Sequence, residues 1–197
     1  MEKDKNSIRK MTETAIFAAI IILMAFTPIG YLRVGFLSIT FLPIPVAIGA
    51  IAVGPAAGAI LGAVFGMTSF LQCFGMDAFG TALFAVNPIY MFIVCVLPRV
   101  LCGLIPGLIF RAFPKEKRNV FTYALSSFSC AALNTILFVS LLILCFYGSG
   151  SLSVLGDTVI DIILYLVTAN ALIEAAVCMV VGVAVSKSLL PMIEKRF

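Results

Sequence analysis

Four polar residues set in long apolar runs are the ones whose types and spacing could do chemistry: Arg99, Asn134, Asn170 and Glu174. An isolated carboxylate at the centre of a bilayer costs on the order of 3 kcal/mol or more unless it is paired or wetted, so Glu174 requires a partner or a cavity. Counting from the inner ends of their runs, at about 1.5 Å per residue, Glu174 and Arg99 both stand roughly 18–20 Å deep and Asn134 roughly 21 Å. Asn170 lies one helical turn outward of Glu174 on the same face. Such a layer admits two readings. Arg99 and Glu174 could pair while the amides bond across helices as packing glue. Alternatively the layer lines a water-accessible pocket open to the outside, with Arg99 taking a ligand anion and the amides its hydroxyls or carbonyls. The clustering of four groups in one layer favours the pocket, and the candidate ligand-binding set is Arg99, Asn134, Asn170, Glu174, Thr135, Asn87, Tyr90 and Gln72.

Other chemistry is excluded by what the 197 residues do not contain. No G-x-x-x-x-G-K-[ST] occurs, so ATP hydrolysis by the P-loop route would have to come from a partner. The chain has no histidine, which removes H-E-x-x-H sites, imidazole metal ligation and histidine triads together. Asp77, Asp157 and Asp161 fall in outer loops or at a helix end, so no pair of facing mid-membrane aspartates is available. The six cysteines, Cys73, Cys95, Cys102, Cys130, Cys145 and Cys178, are scattered singly without C-x-x-C pairing and read as small buried hydrophobes. No catalytic residue, metal site or cofactor is expected.

The elements that must hold these residues follow from composition. Hydrophobic residues make up 62% of the chain and charged ones 11%, which excludes a soluble domain, for which about 25% charge is usual. The apolar runs are long and broken by Gly, Pro or charge, the pattern of a polytopic helical membrane protein rather than a barrel. At about 20 residues per crossing the runs fall at roughly 11–29, 38–53, 56–74, 88–110, 120–147 and 159–186, giving six transmembrane helices in one bundle and a single integral domain over 1–197. The stretch 72–87 around Asp77 reads as a sizeable loop, and Gly54-Pro55 as a tight turn.

Charge placement gives orientation. Of 13 Lys and Arg residues, eleven (Lys3, Lys5, Arg9, Lys10, Arg111, Lys115, Lys117, Arg118, Lys187, Lys195 and Arg196) fall on one side if both ends are cytoplasmic. The expectation is N-in, C-in, with outer loops at roughly 30–37, 75–87 and 148–157 that an external ligand meets first. The net charge of +4 therefore reads as an orientation signal and not as a nucleic-acid surface. A basic segment precedes the first run, but no A-x-A-like cleavage site follows, so it reads as a first membrane helix and not a cleaved leader. Gly58, Gly62 and Gly66 form a ladder of close packing on the third run, and Ala15 and Ala19 repeat the small-x-x-x-small pattern on the first.

This arrangement resembles the substrate-binding S component of energy-coupling factor (ECF) vitamin transporters over nearly the whole chain. The matching features are Ala15-x-x-x-Ala19, Ile44-Pro45-Val46 through Gly54-Pro55 with Gly58, Pro98-Arg99-Val100 to Gly103, Asn134-Thr135, and Asn170 with Glu174, which together are similar to the pantothenate-type branch. The resemblance implies high-affinity capture of a vitamin, docking onto a transmembrane coupling subunit with two ATPase subunits, and toppling of the component in the plasma membrane. It also implies that Ala15 and Ala19 meet the coupling subunit, where small side chains let helices approach and slide. Pantothenate suits the pocket: it is a small monocarboxylate with two hydroxyls and an amide, for Arg99 and the asparagines respectively. Riboflavin, folate or pyridoxine are the alternatives, since 17 Phe and five Tyr could stack a larger ring. A stand-alone secondary carrier or channel with Glu174 titrating would be favoured by an internal repeat or further buried acids, and neither is evident. A membrane enzyme or assembly chaperone lacks any visible nucleophile and base.

Overall fold

Proline and glycine divide the apolar sequence into helices. The computed structural model describes residues 2–34, 37–114, 118–146 and 172–194. Within them the order is α1 (Glu2–Ala25), β1 (Tyr31–Val34), β2 (Leu37–Thr40), α2 (Pro43–Ala52), α3 (Pro55–Gln72), α4 (Ala78–Val86), α5 (Pro88–Ala112), α6 (Val120–Phe146) and α7 (Leu172–Glu194). Helices α2, α3 and α5 each open on proline, whose missing N–H costs nothing in the first turn. Gly54 ahead of α3 takes φ +134°, a backbone conformation that side chains disfavour, and so lets the chain reverse between α2 and α3.

The fold is helical, as composition dictates. The first run, read as 11–29, is helical over Glu2–Ala25, and the last, read as 159–186, is helical over Leu172–Glu194, its earlier part lying outside the described residues. In three further places the structure departs from the sequence reading. First, the run at 38–53 is not one helix. Its start pairs as β2 with β1 in an antiparallel hairpin, Tyr31 opposite Thr40 and Val34 opposite Leu37, and only the ten residues of α2 are helical. Two prolines, Pro43 and Pro45, prevent a helix from starting earlier. Second, part of the expected outer loop at 30–37 belongs to this hairpin, whose four-residue strands are too short to show as a periodic pattern. Third, the stretch read as a loop at 72–87 contains α4, capped by Asp77, whose carboxylate accepts from the Gly80 N–H at 2.8 Å. Leu83 of this helix is buried against the bundle.

Helix α2 is the hub. It packs against α1, α3, α5, α6 and α7, and it is buried on nearly every side, as an all-apolar helix must be. The core around it joins Ile21 of α1, Leu42 and Val46, Leu61 and Phe65 of α3, Cys102 of α5, Cys130 of α6 and Cys178 of α7. At α2's 10 residues and about 1.5 Å of rise each, it is shorter than a bilayer is thick. Among the described residues three helices, α3, α5 and α6, are long and apolar enough to cross a membrane. Their outward faces carry large apolar side chains such as Ile60, Leu71, Leu97, Phe121, Ile136 and Leu144, suited to lipid.

The glycine ladder explains how α3 and α5 meet. A Cβ on Gly58, Gly62 or Gly66 would run into the backbone of Gly103, Arg99 or Val96 respectively, so the two helices cross with main chains in contact. Gly62 is thus the floor on which the Arg99 segment lies.

Candidate functional site

The polar layer is built by α3, α5, α6, α7 and the hairpin. Arg99 of α5 is only 8% exposed, Asn134 of α6 and Glu174 of α7 5% each. Asn134 donates from Nδ2 to the Glu174 carboxylate at 3.1 Å, joining α6 to α7. Arg99 does not pair with Glu174: its Nη1 donates to the Val94 main-chain carbonyl at 2.8 Å, and among the described residues no ion pair joins the two side chains. The guanidinium instead lies over two rings, 5.4 Å from the centroid of Phe65 and 4.5 Å from that of Phe138. Ring faces attract the cation by their quadrupoles, by about 2 kcal/mol at a desolvated site, without cancelling its charge.

Two buried polar atoms of this layer have no hydrogen-bond partner, Nε of Arg99 and Oδ1 of Asn134. Leaving a buried donor or acceptor unpaired costs roughly 1–3 kcal/mol, more for a charged group. A cationic donor and a neutral acceptor in this layer are therefore two separate demands: an anionic group for Arg99 and a hydroxyl or N–H for Asn134.

The hairpin closes the layer from one side. Tyr31 of β1 bonds Ser69 of α3 through their hydroxyls at 3.1 Å, and the Thr40 hydroxyl and the Arg99 charge both act on its phenol. Burial of the hydroxyl end, the largest influence, holds the Tyr31 phenol above its ordinary pKa, so the phenol stays neutral. The Thr40 main chain in turn interacts with the Glu174 carboxylate. Strand pairing places Tyr31 directly opposite Thr40, which is why both reach the same site.

The remaining sequence candidates lie elsewhere or do other work. Thr135 follows Asn134 on α6 and is half-buried. Asn87 caps α5, its Oδ1 accepting from the N–H groups of Ile89 and Tyr90 at 3.1 Å each. Along α5 it is about 18 Å from Arg99, and Tyr90 about 14 Å. Tyr90 packs edge-on against Phe146 and is otherwise exposed. Gln72 is buried and donates to the Ala25 carbonyl at 2.7 Å, tying the end of α1 to α3. Asn170 lies outside the described residues. Ala15 and Ala19 are exposed on α1, beside the inward stripe of Phe17, Ala18, Ile21 and Met24.

Sequence reasoning missed Phe65, Phe138, Tyr31, Thr40, Ser69 and the Val94 carbonyl. Two of these had a signal. Phe138 is one turn from Asn134 on the same face, and a proline at position 98 frees the carbonyl four residues earlier, which is Val94. The hairpin residues had none, because their meeting depends on strand pairing across a turn.

Comparison with known proteins places the chain among transporter components. Residues 9–186 match the family model described as "ECF transporter, substrate-specific component". The chain is 26% identical over 200 residues to the pantothenate transporter PanT of Leuconostoc mesenteroides subsp. mesenteroides, and the match spans 96% of each chain.

Proposed function

Because this chain belongs to the family of ECF transporter substrate-specific components, a multi-pass membrane protein of the plasma membrane, we propose that it is a high-affinity vitamin-binding S component whose ligand is pantothenate. The observation that carries this reading is the state of Arg99: a buried cation clamped by a neutral carbonyl and two rings, with a donor still unpaired. Its charge is in place and not quenched, which is what an anion site needs. Pantothenate offers one carboxylate for Arg99, and hydroxyls and an amide for Asn134 and Glu174. The similarity to PanT supports the same ligand.

The chain crosses the membrane six times with both ends cytoplasmic, the basic residues collecting inside. Asn170 and Thr135 belong to the ligand set, Thr135 from α6. Asn87 and Gln72 support the site at a distance through the α5 cap and the α1–α3 tie already described, and Tyr90 stands in the first turn of α5. Ala15 and Ala19 face the coupling subunit, supported by their exposure on α1. ATP is hydrolysed in two partner subunits, consistent with the lack of a P-loop here.

Calorimetry on the purified chain in detergent, with native mass spectrometry of co-purifying small molecules, tests the assignment. Tight 1:1 binding of pantothenate is expected. Failure to bind it, with riboflavin, folate or pyridoxine captured instead, would replace the ligand. Concentrative uptake by liposomes holding only this chain would replace the whole reading with a self-contained carrier.

A further inference from the structure

We infer that Pro98 is a positioning residue for Arg99, a role that rests on the anion-site reading above. In an α-helix the N–H of residue 98 would bond the carbonyl of residue 94. Proline has no N–H, so Val94 keeps a free carbonyl in the middle of α5. Val94 is fully buried, so water does not take that carbonyl either. The Arg99 side chain turns back along its own helix and fills the gap, Nη1 to Val94 O at 2.8 Å. The Phe65 and Phe138 rings then hold the guanidinium in place.

The choice of clamp matters. A carboxylate such as Glu174 would hold the arginine as firmly but would neutralise it and compete with a ligand anion. A carbonyl has only a dipole, so it fixes one corner of the guanidinium and leaves the net charge and Nε for the ligand. The bond that α5 gives up at Pro98 thus becomes the bond that aims Arg99.

P98A restores an N–H that takes the helical acceptor position on the Val94 carbonyl, so the helix gains a bond while the Arg99 contact must share that oxygen and weakens. P98V does the same with a side chain nearer in volume to proline. Both variants should unfold at or above the wild-type temperature in the absence of ligand. Pantothenate affinity should nonetheless fall about 10- to 100-fold, the scale of a lost hydrogen bond to a charged group. Affinity for panthenol, the neutral alcohol analogue, should stay near wild type, so the preference for acid over alcohol collapses.

Two controls separate this inference from the reading beneath it. A ligand-free double-mutant cycle compares the unfolding cost of R99Q in the wild-type and P98A backgrounds. R99Q strands the Val94 carbonyl only where Pro98 is present, so its cost should be clearly smaller with P98A. Equal costs would overturn the inference whatever ligand the protein takes, as would failure of both proline variants to fold. For the ligand arm, R99Q should itself abolish the preference for acid over alcohol. If R99Q abolishes it and P98A and P98V retain it, Pro98 has no positioning role and the anion site stands. If R99Q retains it, the anion-site reading falls.

Discussion

Arg99 and Glu174 share a buried layer but answer to different partners, and their variants should therefore behave differently. Arg99→Gln removes the buried cation of the layer, so binding should weaken by about 2–4 kcal/mol, the scale for truncating one member of a buried charge pair. Glu174→Gln keeps an acceptor for Asn134 and should change affinity less, while lowering the unfolding temperature through the altered contact to α6. Asn134→Ala takes the Nδ2 donor from Glu174 and the unpaired Oδ1 from the layer together. It should cost about 1–3 kcal/mol of stability and also reduce affinity. Calorimetry and thermal unfolding on the same preparations check all three. An Arg99→Gln protein that folds and binds pantothenate like wild type would remove the arginine from the site.

At the scale of elements, the site depends on how closely α3 approaches α5. Gly→Ala in a helix interior ordinarily stabilises by about 1 kcal/mol. At Gly62 the added methyl would meet the Arg99 carbonyl, main chain that has no rotamer to yield. Gly62→Ala should therefore reverse the usual sign and destabilise by about 1–3 kcal/mol, with ligand affinity falling because the Arg99 segment is pushed outward. Gly62→Ala with wild-type unfolding temperature and wild-type affinity would show that the crossing has slack. The hairpin makes a parallel case. Its link to α3 is the Tyr31 to Ser69 hydroxyl contact, so Tyr31→Phe loosens the hairpin without emptying the core beside Phe17 and Leu42.

For the whole molecule, one face of α1 stays exposed among the described residues. Ile21 and Ala25 point into the core, whereas Ala15, Ala19, Ile16 and Leu23 are exposed. If a coupling subunit packs there, Ala15→Trp or Ala19→Trp should leave pantothenate binding unchanged and abolish uptake in vesicles containing the full transporter, because bulk prevents two helices from approaching. Equal loss of binding in those variants would mean that the face is internal packing after all.

Composition and run length by themselves determined the helical membrane class and located α3, α5 and α6, because a span of about 20 apolar residues is a local property of the chain. Residue count along a helix likewise placed Arg99, Asn134 and Glu174 in one layer, since rise per residue is nearly constant. The azimuth of a side chain and the identity of its neighbour are not local. They follow from the angle and distance at which helices cross, and here those are set by glycines of α3 lying on the backbone of α5. Only the packed structure therefore decided that Glu174 bonds Asn134, that Arg99 turns to Val94 between two rings, and that a short hairpin brings Tyr31 and Thr40 to the same place. The charge on Arg99 was legible in one letter; its freedom from Glu174 came from the packing of four helices and a strand pair.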